Sequence, residues 1–246
     1  MQLFMGVFRG EIAKLAARKK YIVFLIIEVL ICAIVLLVQM AVEHASGIGL
    51  RGLNLRMMLL GFFISIYIPL ILFMGACDLF SSEVSENSMR ASLMRPASRF
   101  KVFFAKTLAV YLLGVCYLFA LFFVTVILEI IGGSSLHGFF SSFGAYLLDA
   151  IPLLVMALMA VFVNQLTRSS TLVMLICIIV LVGSYVANLF LPQVGAVLFT
   201  SYGQWHNLWI GTTLPFGAMI MKIGMLLGYG MLFFCGGYYI FERKDM

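Results

Sequence analysis

YIVFLIIEVLICAIVLLVQMAV, residues 21–42, holds one ionisable side chain, Glu28, and neither proline nor glycine. A hydrocarbon core about 30 Å thick is crossed by about 20 mostly apolar helical residues, so this run is long enough to span it. It is too long for the apolar region of a secretory leader and no small-residue cleavage site follows, which makes it an uncleaved anchor. Working outward, five further runs meet the same requirement: Met57 to Leu79, Thr107 to Ile131, Gly144 to Val163, Leu172 to Leu191 and Phe216 to Phe241. The composition agrees, since 64% hydrophobic residues, 11% charged residues and a mean hydropathy of +1.14 do not fit a soluble surface. The expected fold is an all-α polytopic membrane protein of six transmembrane helices, one domain over 1–246, with both termini on one side.

Charge sets the side. Of the 16 lysines and arginines, all but Arg51, Arg56 and Lys222 fall before the first run, between runs two and three, at Arg168, or at the C terminus. The positive-inside rule makes those segments, and both termini, cytoplasmic. The net charge of +6 then reflects topology and contact with anionic lipid, and a nucleic-acid partner is not expected. The placement implies a cell membrane, most simply the bacterial cytoplasmic membrane. Five cysteines, Cys32, Cys77, Cys116, Cys177 and Cys235, each lie inside a span without any C-x-x-C spacing, and read as small buried hydrophobes.

Two segments outside the spans have internal order. Residues 1–20 form an expected interfacial helix, with an apolar stripe (Phe4, Phe8, Ile12, Leu15), a charged stripe (Glu11, Lys14, Arg18) and a small stripe (Gly6, Gly10, Ala13, Ala17). The small stripe is expected to let it lie close against other spans. Residues 193–215 carry Phe199, Tyr202, Trp205 and Trp209 with no acidic or basic residue but His206. Such aromatic residues settle at the headgroup level, so an external re-entrant segment of short helices is expected there.

Within the spans, three ionisable residues need an account, because a charge at mid-membrane costs about 2.5–3.5 kcal/mol on insertion scales. These are Glu28, Asp149 and Lys222. Asp149 and Lys222 lie at matching depth from the same side, which predicts a structural ion pair between spans four and six; a substrate carboxylate or lipid phosphate on Lys222 is the competing reading. Pro69 and Pro152 are expected to bend spans two and four. Small-xxx-small pairs at Gly183 and Ala187, and at Gly224 and Gly228, suit close helix contact. His44, His137 and His206 are read as solvated histidines of the outer loops, and the chain has no G-x-x-x-x-G-K-[ST], G-x-S-x-G or H-E-x-x-H. Neither ATP binding nor hydrolase chemistry is expected, and no catalytic, cofactor or metal residue is assigned.

The polar stretch SSEVSENSMRASLMRPASRFKVFFAK, residues 81–106, interrupts the oil. Residues 81–95 suit a cytoplasmic helix: Glu83 and Glu86 lie early, Arg90 and Arg95 late, Glu86 and Arg90 form a favourable i,i+4 pair, and Pro96 ends it. Met89 and Leu93 give it an apolar ridge.

The pattern Glu83, Asn87-Ser88-Met89, Leu93, Pro96-Ala97-Ser98-Arg99 and Lys106 resembles the cytoplasmic segment of ATP-binding-cassette (ABC) type 2 exporter permeases, with Asn87 and Ser88 in place of the usual Gly and Thr. The basic N-terminal helix, six spans, aromatic loop before the last span and Phe-Glu-Arg-Lys-Asp ending extend the resemblance over nearly the whole chain. The resemblance implies a coupling helix that docks on a separate ATPase subunit through Glu83, Glu86, Ser88, Met89, Arg90, Leu93, Pro96 and Arg99. It implies that ATP and Mg are bound by that partner, and that a second permease copy meets span five at Gly183 and Ala187. The expected function is outward movement of an amphipathic or hydrophobic substrate, as in small permeases for antimicrobial or cytolytic peptides. An ATPase-independent channel or secondary carrier is the alternative.

Overall fold

The computed structural model describes residues 2–46, 55–81, 98–133, 138–167, 169–191, 193, 197–209 and 216–243, and among them all regular structure is helical. Helix α1 is Gln2–Ala16, α2 Lys19–Ser46, α3 Leu55–Ser81, α4 Arg99–Ile131, α5 Phe139–Leu166, α6 Ser170–Phe190 and α7 Phe216–Arg243. The last six are long and apolar enough to cross a membrane, so every run read from the sequence is a helix and the chain is a multi-pass membrane protein. Helix α4 starts two turns earlier than hydropathy suggests, because Phe100, Phe103 and Phe104 keep an apolar stripe running beside Lys101 and Lys106. Phe103 packs there against Phe80 of α3 and Phe241 of α7, with ring centroids 5.9 and 5.3 Å away.

Contacts at the helix ends show the up-and-down order. The start of α2 meets the end of α3 where Arg18 and Lys20 reach Asp78. The start of α4 meets the end of α7 where the Arg99 guanidinium donates to the Glu242 carbonyl at 2.6 Å. These ends share one side, called here the N face. On the opposite, far face the start of α3 meets the end of α4, where Arg56 pairs with Glu129.

Helix α5 is the axle of the bundle. In its most apolar window 72% of residues are buried, against 22% in α2 and α6 and 6% in α7, so those three present apolar surface outward. Helices α3 and α4 approach closely through Gly75 and Gly114. A Cβ on Gly114 would come within 2.7 Å of a Leu72 methyl, and one on Gly75 within 2.9 Å of a Leu113 methyl. At the small pairs singled out from the sequence, a Cβ on Gly183, Gly224 or Gly228 would meet nothing within 4 Å. Those positions are open on the outside of a single chain.

Helix α3 is not a uniform α-helix. It widens into π-helical turns at Phe63–Tyr67 and Cys77–Ser81. Pro69 follows the first of these, and as proline it cannot donate the amide that an α-helix would send to the Ser65 carbonyl. Tyr185 of α6 fills that role, its hydroxyl donating to the Ser65 carbonyl at 2.9 Å. The expected bend at Pro69 is thus a local widening stabilised from a neighbouring helix.

Two expectations are corrected. The inward side of α1 is Val7, Glu11 and Leu15, whereas Gly6, Ala13 and Ala17 of the small stripe are exposed. A carboxylate with partners waiting in α4 outweighs small residues in choosing the buried face, so Glu11 belongs to the interior and not to a solvated charged stripe. Among the cysteines, Cys116 and Cys235 face outward while Cys32, Cys77 and Cys177 are buried, all as free thiols.

Candidate functional site

Polar groups concentrate at the two ends of the bundle. At the N face, Lys106 is fully buried and its ammonium donates to Glu11 Oε2 and to the Leu79 carbonyl, each at 3.0 Å. Glu11 also receives Lys14 at 2.9 Å. One turn away, Asp78 in the second π turn receives Arg18 at 2.8 Å, Lys20 at 2.7 Å and the Tyr21 hydroxyl. The Ser81 hydroxyl donates to Asn164 Oδ1 of α5 at 2.6 Å, while the Asn164 amide donates back to the Ala160 carbonyl. The network joins α1, α2, α3, α4 and α5 around the point where α3 leaves the bundle. Sequence reading missed Asp78 and the inward role of Glu11, and counted Lys106 as a topology signal and as part of the family pattern without giving it a partner. The signal that would have found them is an acid just inside the end of one span lying opposite bases at the start of its neighbour.

Arg99, expected to serve a partner ATPase, is fastened to α7 through the Glu242 carbonyl. The other residues of that expectation, Glu83, Glu86, Ser88, Met89, Arg90, Leu93 and Pro96, lie outside the described residues.

At the far face, the expected pairing of Asp149 with Lys222 does not occur. Asp149 is fully buried, and both its oxygens are taken by one residue: the His206 backbone N–H donates to Oδ1 and His206 Nδ1 meets Oδ2, each at 2.7 Å. The reason is the loop between α6 and α7, which folds inward as two 3-10 turns, Phe199–Tyr202 and Trp205–Leu208. It brings His206 down onto α5 before any α7 side chain can arrive. His206 is accordingly 6% exposed, not a solvated loop histidine. Phe199, Tyr202 and Trp205 are buried against the bundle, and of the four aromatic residues named in this loop only Trp209 is exposed. A second far-face pair, Arg56 with Glu129 at 2.6 Å, was also missed, since Arg56 reads as a loop charge. Opposite charges at the start of one span and the end of the next were the available signal.

Lys222 lines a cavity of about 340 Å³ with a mixed polar and apolar lining instead. Its walls include Ser65 of α3, Tyr185 and Asn188 of α6, Gln204 and Asn207 of the loop, and Lys222 of α7. Among the described residues lining it, Lys222 carries the sole formal charge. The Gln204 amide makes only long bonds, 3.4 Å to the Gly61 carbonyl and 3.5 Å to Ser65 Oγ, and accepts from Asn207 at 2.9 Å. With Lys222 six residues inside the start of α7, a rise of about 1.5 Å per residue puts its Cα about 9 Å below the far-face end of that helix.

Glu28 differs from every other acid described. It is 1% exposed, and neither carboxyl oxygen has a hydrogen-bond partner among the described residues. The nearby hydroxyls of Tyr67 and Tyr117 are turned to the backbone of α2, at the Phe24 and Tyr21 carbonyls.

No curated protein matches the chain. A protein-family profile described as a protein of unknown function, DUF2705, matches residues 43–246. That match takes in everything from the end of α2 through α7, and the chain belongs to the DUF2705 family.

Proposed function

We propose that this chain is the membrane-spanning permease subunit of an ABC exporter, moving an amphipathic or hydrophobic substrate outward with ATP hydrolysed by a separate subunit. In this reading the N face is cytoplasmic, the membrane is the bacterial cytoplasmic membrane, and residues 81–95 form the coupling helix. The partner ATPase holds ATP and Mg. A second copy completes the pathway against the open faces at Gly183 and Ala187. Small permeases for antimicrobial or cytolytic peptides are the nearest functional type.

The observation that supports this best is how the polar segment 82–97 is bracketed. Ser81 before it is bonded to α5, and after it Arg99 is bonded to α7 and Lys106 to α1 and α3. A segment with both ends fastened to four other parts of the bundle transmits a push; one hung on free ends absorbs it. Motion of an ATPase docked on 82–97 would therefore reach the spans.

Affinity purification of the tagged chain from its native host tests the reading. An ATPase subunit is expected to co-purify, and Glu86→Lys or Leu93→Asp is expected to lose it while membrane insertion stays normal. Absence of any co-purifying ATPase, or transport without one, would favour the channel or secondary carrier; retention of the ATPase by both variants would reduce the coupling segment to a plain cytoplasmic loop helix.

A further inference from the structure

The far-face cavity has a chemistry that the transport reading leaves unassigned. Its lining mixes amides, hydroxyls and one ammonium with apolar side-chain surface such as Leu208, beside helices α6 and α7 that present apolar residues outward. A polar cavity in a membrane helix bundle is expensive unless something uses it, because its groups lose water partners that lipid cannot replace. Among the described residues no carboxylate is paired with Lys222, since Asp149 is held by His206 and Glu129 by Arg56. The cavity thus presents a positive charge with no carboxylate paired to it among the described residues, together with side-chain amides on Asn188, Gln204 and Asn207, the last of which already donates one hydrogen to Gln204 Oε1.

The dimensions narrow the occupant. One water takes about 30 Å³ of liquid, so about 340 Å³ exceeds what a bare inorganic ion fills and falls at the small end of ligand sites. Just outside, Leu189 and Phe190 of α6 are 77% and 75% exposed and Met221 of α7 is 66% exposed. Next in sequence to Asn188 and Lys222, they belong to the outward apolar sides of α6 and α7 that flank the cavity.

We infer that the cavity binds the anionic head of an amphiphile, with phosphate or carboxylate oxygens on the Lys222 ammonium and the Asn188 and Asn207 amides, and with the apolar tail along the rim of α6 and α7. This deepens the transport reading by naming a substrate class, and as a transport site it rests on that reading; as a binding site it can be measured alone. An ammonium and planar amides match oxyanions, whereas a cationic or neutral head would leave Lys222 without a counter-charge.

The chain has two tryptophans, Trp205 and Trp209, and they bracket the cavity-lining Asn207 and Leu208, so intrinsic fluorescence reports on the site. The full chain in phosphatidylcholine nanodiscs is titrated with lauroyl lysophosphatidic acid, dodecanoate, lauroyl lysophosphatidylcholine and inorganic phosphate. A saturable change is expected with one or both anionic amphiphiles, and which of them binds separates a phosphate head from a carboxylate. Lys222→Met is expected to raise the half-saturation concentration by about tenfold or more, Lys222→Arg to stay near the parent, and Asn188→Leu, on another helix, to weaken binding as well. Equal binding by Lys222→Met and the parent, saturation by inorganic phosphate alone, or equal response to the zwitterionic lysolipid would overturn the inference. Because no ATPase enters the assay, failure to find one would count against the transport reading and not against this site.

Discussion

Replacing Lys106 with methionine tests whether the N-terminal helix is part of the bundle or merely rests on it. The ammonium is fully buried and sits 3.0 Å from Glu11 Oε2. With an effective dielectric of about 20, unit charges at that separation attract by roughly 5 kcal/mol, and burial of both groups offsets much of it. Deleting one partner exposes the other's unpaired desolvation, which for buried pairs costs about 3–5 kcal/mol. Lys106→Met falls at the lower end, because Glu11 keeps Lys14 at 2.9 Å on a side chain 43% exposed. Glu11→Leu falls at the upper end, because Lys106 loses its carboxylate and is fully buried, with the neutral Leu79 carbonyl and the Phe80 ring, 5.8 Å from its nitrogen, among its remaining contacts. The double variant Glu11→Leu/Lys106→Met strands neither charge and is expected to lose less than either single one. Thermal unfolding of the detergent-purified protein reads this out: about 3 kcal/mol corresponds to roughly 6–12 °C in a chain of this size. Single and double variants whose losses simply add would refute the argument, since independent losses mean that the two groups do not share a bond.

Other consequences follow the same logic. Arg56→Met is expected to cost about 3–5 kcal/mol and Arg56→Met/Glu129→Leu to recover most of it, measured by the same unfolding assay. Asp149→Asn weakens the hold on His206 and is expected to cost about 1–3 kcal/mol and to speed proteolysis within residues 197–209. Lys222→Met is expected to change stability by less than about 1 kcal/mol, in contrast to Asp149→Asn; equal losses would restore the pair that the sequence suggested. Ala187→Cys is expected to cross-link between copies in membranes, and cross-linking through Gly228→Cys alone would move the dimer interface to α7.

Hydropathy located all six spans because each crossing must be apolar whatever it packs against, and that requirement is local. The polar core was harder to read because it is a property of pairs. Glu28, Asp149 and Lys222 were legible as isolated misfits, yet which residue answers Asp149 depended on a loop folding inward by way of Phe199, Tyr202 and Trp205, three aromatic residues that read equally as a headgroup belt. Arg56 and Glu129 escaped for the opposite reason: each sits near a span end, where a charge needs no special account until its neighbour is known. Close approach inside the single chain was not legible either. Gly75 and Gly114 have no small residue four positions away in their helices and carry the α3–α4 contact, whereas Gly183, Gly224 and Gly228 of the recognisable small-xxx-small pairs remain open. Spacing within one helix reveals a smooth face, but contact also requires the facing side chain to be placed for it.

Glu28 is a misfit that no hydrogen bond from the described residues resolves, and its position allows a sharp test of whether it is tolerated or used. An acid buried among apolar groups with both oxygens unbonded is destabilising relative to a hydrocarbon of similar size, by about 2.5–3.5 kcal/mol on insertion scales. Glu28→Leu is therefore expected to raise the unfolding temperature, and Glu28→Gln to raise it less, because the amide remains a polar group without partners. Helix α2 gains nothing from the acid in its packing, so a stabilised Glu28→Leu protein that also loses transport would mark the carboxyl as retained for function at the expense of stability. A Glu28→Leu protein that is less stable than its parent would sink this reasoning, since it would require the carboxyl to contribute a bond that the folded chain does not show.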